Sequence, residues 1–249
     1  MNQYISAENQ WVFAFLFNII LIVFARGSLI LTKSGWFHAG ILGTILWGCL
    51  GFKGWISVVF YLICGSLVTK LGLKYKQNLG IAESRNGSRG PENVWGSAAT
   101  GAFLAILSHV LTNNSNLILL GFCASFAAKL GDTFGSEIGK RFGKKTFLIT
   151  NFRKVAPGTE GAISLEGTIA SLFGCFLMTT FFFLISFIDK GSISLIILFS
   201  GFIATILESY LGAIFQTRYK FLTNEFVNVL QTSLASTIAI LVGYCLVNI

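Results

Sequence analysis

Ile163-Ser-Leu-Glu-Gly-Thr-Ile-Ala-Ser-Leu-Phe-Gly-Cys-Phe-Leu-Met-Thr-Thr-Phe-Phe-Phe-Leu-Ile-Ser-Phe-Ile188 carries a single charge, Glu166. About 20 mostly apolar residues in an α-helix cross the hydrocarbon core of a bilayer, so this stretch predicts a membrane span. Seven more lie on either side of it, over 10–30, 36–52, 55–71, 94–112, 115–131, 192–215 and 226–248. Composition agrees. Hydrophobic residues make up 54% of the chain and charged residues 11%, against about 25% charged in a soluble domain. Twenty-eight charges cannot cover a soluble globule that must also hide 25 phenylalanines. Disorder and a secreted disulfide scaffold are excluded on the same grounds. The expected fold is an all-α, polytopic integral membrane helix bundle of about eight transmembrane helices, a single domain over 1–249. Phe52-Lys-Gly54 and Thr112-Asn-Asn114 join their neighbours so tightly that a re-entrant hairpin, with six or seven spans, is the alternative.

Charge placement sets the orientation. The segments after odd-numbered spans hold Arg26 and Lys33; Lys70, Lys74, Lys76, Arg85 and Arg89; Lys129, Lys140, Arg141, Lys144, Lys145, Arg153 and Lys154; and Arg218 and Lys220. The other side holds Lys53 and Lys190. The positive-inside rule assigns the first set to the cytoplasm and both termini to the opposite side. The net charge of +8 is therefore a topology signal, and no nucleic-acid partner is expected. Met1–Gln10 has no Lys or Arg, so the first span reads as a retained helix and not a signal peptide. Two loops on the basic side are long, about 72–93 and 132–162.

Acidic residues inside or beside spans are costly, about 2.5–3.5 kcal/mol at membrane depth, and mark candidate sites. Asp132 and Glu137 fall where the fifth span leaves its apolar run, Glu166 opens the sixth and Glu208 lies in the seventh. Ordinary ion pairing, such as Glu137 with Arg141, is the competing explanation. Gly131, Gly135, Gly139 and Gly143 recur every fourth residue, a stripe that lets helices approach closely and would bring Asp132 and Ser136 inside the bundle. Arg153-Lys154 followed by Pro157-Gly-Thr-Glu-Gly161 and a Ser-started helix suits phosphate oxygens. Arg85 and Arg89 lie on a Gly-rich frame, and arginine forks bind phosphate. Gly135-Ser-Glu-Ile-Gly-Lys140 is too short for a P-loop and lacks its Ser/Thr. The five cysteines stand in apolar runs without CxxC spacing, and His38 and His109 are isolated; no metal site is expected from them.

Gly131-Asp-Thr-Phe-Gly-Ser-Glu-Ile-Gly139, Leu148-Ile-Thr-Asn151 and Pro157-Gly-Thr-Glu-Gly-Ala-Ile-Ser-Leu-Glu-Gly-Thr168 resemble a family of integral membrane proteins. That family was long catalogued only as a domain of unknown function and includes the phytyl-phosphate kinases. Leu31-Thr-Lys-Ser-Gly-Trp-Phe-His-Ala-Gly-Ile-Leu-Gly43 and Leu207-Glu-Ser-Tyr-Leu-Gly-Ala-Ile-Phe-Gln216 extend the resemblance to about 28–245, and Val94-Trp-Gly-Ser97 after Arg89-Gly-Pro91 is similar to its photosynthetic branch. A fainter likeness ties Asp132, Gly139–Gly143, Arg153-Lys154 and Thr159–Gly161 to membrane enzymes that use CTP, such as phosphatidate cytidylyltransferases.

The resemblance implies a kinase that moves a phosphoryl group from a nucleoside triphosphate, CTP among the candidates, to phytyl monophosphate. The product, phytyl diphosphate, would feed tocopherol and prenyl-lipid synthesis. Asp132, Glu137 and Lys140 are the expected catalytic residues, with Asp132, Glu137 and Glu208 on Mg²⁺. Arg153, Lys154, Thr159, Glu160 and Gly161 would meet the nucleotide. Arg85, Arg89 and Ser136 would meet the isoprenoid monophosphate, whose tail stays in the lipid bilayer. The host membrane would be a cyanobacterial plasma or thylakoid membrane, or a plastid membrane. A membrane cytidylyltransferase and a lipid or ion transporter are the alternatives.

Overall fold

Apolar runs bounded by caps and glycines fold as helices. The computed structural model describes residues 7–111, 115–216, 218–219 and 222–247; Thr112, Asn113, Asn114 and Lys220 lie outside them. The long elements are α1 (Ala7–Ala25), α2 (Lys33–Lys70), α4 (Pro91–Val110), α5 (Ser115–Phe142), α6 (Leu165–Leu184), α7 (Gly191–Leu211) and α8 (Asn224–Val247). A short helix α3 (Leu73–Asn78) and a 3₁₀ turn (Ser84–Gly87) lie between α2 and α4, and a π-helical turn (Gly212–Gln216) extends α7. By length and composition α2, α5, α6, α7 with its π turn, and α8 can each cross a membrane. The fold class is an all-α membrane bundle.

Helix α2 is two helical arms. Gly51 has φ 68° and ψ −165°, a left-handed backbone that glycine adopts without a Cβ penalty, and the chain reverses there. Asn18 shows the reversal. It meets Gly43 and accepts a 3.0 Å hydrogen bond from Trp55 Nε1, residues that a straight helix would hold about 18 Å apart. Arg89 likewise touches both Gly35 and Gly65. The arms 33–50 and 52–70 therefore lie side by side, and the described residues form eight rods. The turn falls one residue before the expected Phe52-Lys-Gly54 joint.

Each helix start has a local cause. Thr32 Oγ1 accepts from Gly35 N at 3.0 Å to cap α2, and Ser164 Oγ accepts from Gly167 N at 3.1 Å to cap α6. Such caps satisfy N–H groups that have no partner within the helix. Pro91 at the first position starts α4, where its missing N–H costs nothing. Helix α5 continues 11 residues past the expected 131 to Phe142, so the expected 132–162 loop begins only after it.

Helix α5 is the buried axis, packed by α4, α6, α7 and α8. Its glycine stripe meets small residues of α6. A Cβ on Gly131 would stand 2.3 Å from Cys175 Sγ, one on Gly135 3.0 Å from Ser171 Cβ, and one on Gly174 2.8 Å from the Leu130 carbonyl. With little hydrophobic force between helices inside lipid, such close backbone approach supplies the packing. Gly174→Val should destabilise the protein by about 1–3 kcal/mol through overpacking, with Gly174→Ala costing less; thermal unfolding in detergent reads both.

The departure from pure helix is a ribbon. β1 (Thr146–Leu148) pairs antiparallel with β2 (Ala162–Ser164) in the register Thr146↔Ser164, Phe147↔Ile163, Leu148↔Ala162. It leads straight into α6 and pins the 149–161 loop over the helix ends.

Candidate active site

The helices alternate, so the end of α2, the start of α4, the end of α5, the start of α6, the end of α7 and the start of α8 meet at one end of the bundle. The basic segments lie there too. A cavity of about 630 Å³ opens among these ends, within the range of small-molecule sites. Helix α5 supplies one wall from Lys129, Asp132, Thr133, Ser136, Glu137 and Lys140, residues whose three- and four-residue spacing puts them on one face. Tyr61 and Thr69 of α2, Glu83 and Arg89 of the connecting loop, Asn93 and Ser97 of α4, Glu208 of α7 and Asn228 of α8 complete the sides. The loop residues Thr159, Glu160 and Gly161 cover it.

Two ion-pair systems organise α5's wall. Lys129 is buried and donates to Asp132 Oδ2 at 2.5 Å and to Asn228 Oδ1 at 2.8 Å. Asp132 stays partly open, its side chain 16% exposed. One turn on, Glu137 is 2% exposed, with one oxygen on Lys76 and the other 3.4 Å from Lys140. Lys76 of α3 is fully buried and also donates to the Thr69 carbonyl at 2.8 Å. Lys140 reaches outward to Glu83 at 3.3 Å. Glu137 is thus enclosed by two lysines, while Asp132 faces open space.

A carboxylate group stands across from these cations. Glu208 and Glu160 lie within electrostatic range of Asp132, with Lys129 as a counter-charge to Glu208 and Lys140 to Glu160. Burial pushes the Glu160 carboxyl above its ordinary range; Lys140 draws it back, and the charges of Asp132 and Glu83 add to the rise. Glu83 goes the other way. Burial would raise it, but Lys140, Lys129 and Arg89 together hold it below the ordinary value. Glu83 is therefore the loop carboxylate held ionised, and Glu160 the one that takes up a proton more readily. Among the described residues no three His, Cys, Asp or Glu side chains converge as a ready-made metal cage. Mg²⁺ does not need one: it is commonly held by one or two carboxylates, waters and substrate phosphates. Asp132 and Glu208 suit that arrangement, whereas Glu137, expected on the metal, has both oxygens on lysines.

The remaining expected residues divide. Ser136, Lys140, Thr159, Glu160, Gly161 and Arg89 line the cavity. Arg153 and Lys154 do not. They are exposed in the loop between the strands, where Leu148 N bonds to the Arg153 carbonyl at 2.8 Å and Phe147 bridges to Lys154. Arg85 is outside as well: it pairs with Glu92 and donates to Asn93 Oδ1 at 2.8 Å. Glu166 accepts from Lys144 N at 3.4 Å and is also off the cavity wall. Gly161 is held against α7, where a Cβ would stand 2.3 Å from that of Ala213 and 2.6 Å from the Ser209 carbonyl. Its φ of 72° also requires glycine.

A match over most of the chain decides the relationship. The family described as integral membrane protein DUF92 matches residues 16–236. The chain belongs to DUF92. Among relatives, this DUF92 chain is 44% identical over 238 residues to the uncharacterized membrane protein sll0875 of Synechocystis sp., covering 94% of this chain and 92% of that one. It is 40% identical over 243 residues to protein VTE6, chloroplastic, of Arabidopsis thaliana, covering 95% and 73%. The uncharacterized membrane protein MJ0933 of Methanocaldococcus jannaschii is 33% identical over 228 residues, covering 91% of each. No solved structure matches the chain.

Lys129, Lys76, Tyr61, Asn93, Asn228 and Glu83 were not singled out in the sequence. For Lys129 a signal existed, a lone cation one turn before Asp132 in an apolar run.

Proposed function

We propose that this DUF92 protein is an isoprenoid-monophosphate kinase acting on phytyl monophosphate, with a nucleoside triphosphate as donor. The observation that carries the reading is the cavity itself: carboxylates Asp132, Glu160 and Glu208 beside cations Arg89, Lys129 and Lys140, at the polar end of a membrane bundle. Phosphoryl transfer depends mainly on alignment and charge neutralisation, which this wall of alternating charge provides. Kinship with a chloroplast protein and a Synechocystis protein supports a photosynthetic prenyl lipid as substrate and a place in tocopherol-related metabolism.

An oxygen of the acceptor phosphate attacks the γ-phosphorus, the bond from that phosphorus to the bridging β–γ oxygen breaks, and the nucleoside diphosphate leaves. The acceptor oxygen is already ionised, so no proton has to be removed. Lys140 gives up its contact with Glu83 to the triphosphate, and Glu137, held by Lys76, fixes the start of that reach. Asp132 and Glu208 would hold Mg²⁺, which would supply neutralisation of phosphate charge. Arg89 holds the acceptor phosphate.

The test is transfer of label from nucleotide to phytyl monophosphate by the purified protein in detergent, with four nucleoside triphosphates. Label arriving from the γ-position supports the kinase. Label arriving from the α-position makes the protein a cytidylyltransferase-type enzyme. No turnover with any isoprenoid phosphate, together with substrate uptake by protein-loaded liposomes, makes it a transporter. Arg89→Ala should raise the KM for the lipid phosphate about tenfold or more, the scale of one charge-assisted hydrogen bond. Arg85→Ala should leave that KM near the wild-type value, and an equal rise in both would remove the distinction between them.

A further inference from the structure

Arg89 stands where head and tail of an amphiphile would part. Its Nη1 donates to the Tyr61 hydroxyl at 2.6 Å, its guanidinium lies 5.0 Å from the Tyr61 ring centre, and Tyr61 donates on to Ser97 Oγ at 3.0 Å. Among the described residues no carboxylate lies within ion-pair distance of Arg89. A half-buried guanidinium without an anion is matched by a phosphate. Arg89, Tyr61 and Ser97 also belong to a second opening, a narrow crevice of about 30 Å³ between the arms of α2 and α4, lined below them by Leu42, Val58, Leu62 and Ala98. That volume is room for about one or two methyl-sized groups. Counted from the polar helix ends, Ala98, Leu42 and Val58 lie about 10, 13 and 18 Å into the bundle. The crevice therefore runs from the unpaired cation toward the membrane interior and is apolar along that path.

We infer that this crevice seats the methyl branch of the isoprene unit nearest the phosphate, with the phosphate on Arg89 and the rest of the chain passing along α4 into the bilayer. This rests on the kinase reading for the identity of the lipid, and it adds the feature by which the site distinguishes an isoprenoid phosphate from a straight-chain alkyl phosphate. A straight chain has no branch to fill the space, and one misplaced methyl in an apolar pocket changes selection about tenfold or more. Leu42 and Val58 approach from one side and Ala98 from the other, so a larger residue at 98 occupies the volume itself.

Equilibrium binding to the purified full-length protein in detergent tests it, using phytyl monophosphate and hexadecyl phosphate as probes and calorimetry as readout. The wild type should bind the branched lipid about tenfold more tightly. Ala98→Leu should remove that preference by weakening phytyl monophosphate alone, and Val58→Phe, from the opposite wall, should do the same if Ala98→Leu fails to fold. Equal affinity for the two lipids in the wild type, no binding of either, or a preference that survives both substitutions would overturn the assignment. The labelled-nucleotide assay separates this from the kinase reading. Binding with the expected pattern but without turnover leaves the crevice in place and removes the kinase; turnover without the pattern does the reverse.

Discussion

Asp132→Asn is expected to lower phosphoryl transfer by about 10²–10³-fold, the loss that follows removal of one well-placed charge-stabilising group, while the protein remains folded. The geometry separates the two effects. Asp132 is partly open to the cavity, and Lys129, its ion-pair partner among the described residues, keeps a second hydrogen bond to Asn228 at 2.8 Å. The asparagine amide preserves shape and leaves Lys129 anchored, but it carries no charge to share with a cation and phosphates. Activity on phytyl monophosphate and the melting temperature in detergent, measured on the same preparation, check the result. Loss of both together would make Asp132 a structural residue and move the site's acid to Glu208 or Glu160.

Lys76→Met is expected to act in the opposite sense, costing about 3–5 kcal/mol of stability, the scale found when one partner of a buried pair is removed and its mate is left uncompensated. Glu137 is 2% exposed and Lys76 fully buried, so water cannot replace the lost charge. Lys140 is too far committed to Glu83 and the cavity to take over both oxygens of Glu137. The double variant Lys76→Met/Glu137→Gln should recover most of the loss, since removing both charges of a buried pair is often close to neutral. A full thermal and denaturant series in detergent decides it. If the single variant is as stable as the wild type, the pair does not hold α3 and its following loop to α5.

The spans were legible because a bilayer imposes a length and a polarity that few other environments do. Runs such as 163–188 and 192–215 return as α6 and α7 within a few residues. The basic side was legible for the same reason, as charge placement has no other freedom in so apolar a chain. Three features were not. The β1–β2 ribbon uses three-residue strands, too short to show a period-two pattern. Nothing in the series Lys70, Lys74, Lys76 marks which lysine turns inward; the choice depends on a carboxylate 61 positions away. Arg85 and Arg89 look alike on a flexible frame, and only the fold gives one a carboxylate partner and the other a tyrosine. For Asp132, the run of small residues around it carried the information, because close helix contact fixes which face of α5 is left for polar groups.

Gly51 has one more consequence, for how the protein meets its neighbours. A one-residue reversal leaves almost no chain between the two arms of α2, and the 185–190 connection near it is brief, with Lys53 tied back to the Ser186 carbonyl at 2.6 Å. Neither of these two described connections is long enough to carry a docking segment. On the kinase reading proposed above, an enzyme that collects the diphosphate would approach through the bilayer plane or from the crowded end that bears the cavity. A bulky tag joined near Gly51 is the insertion least able to disturb such a hand-over.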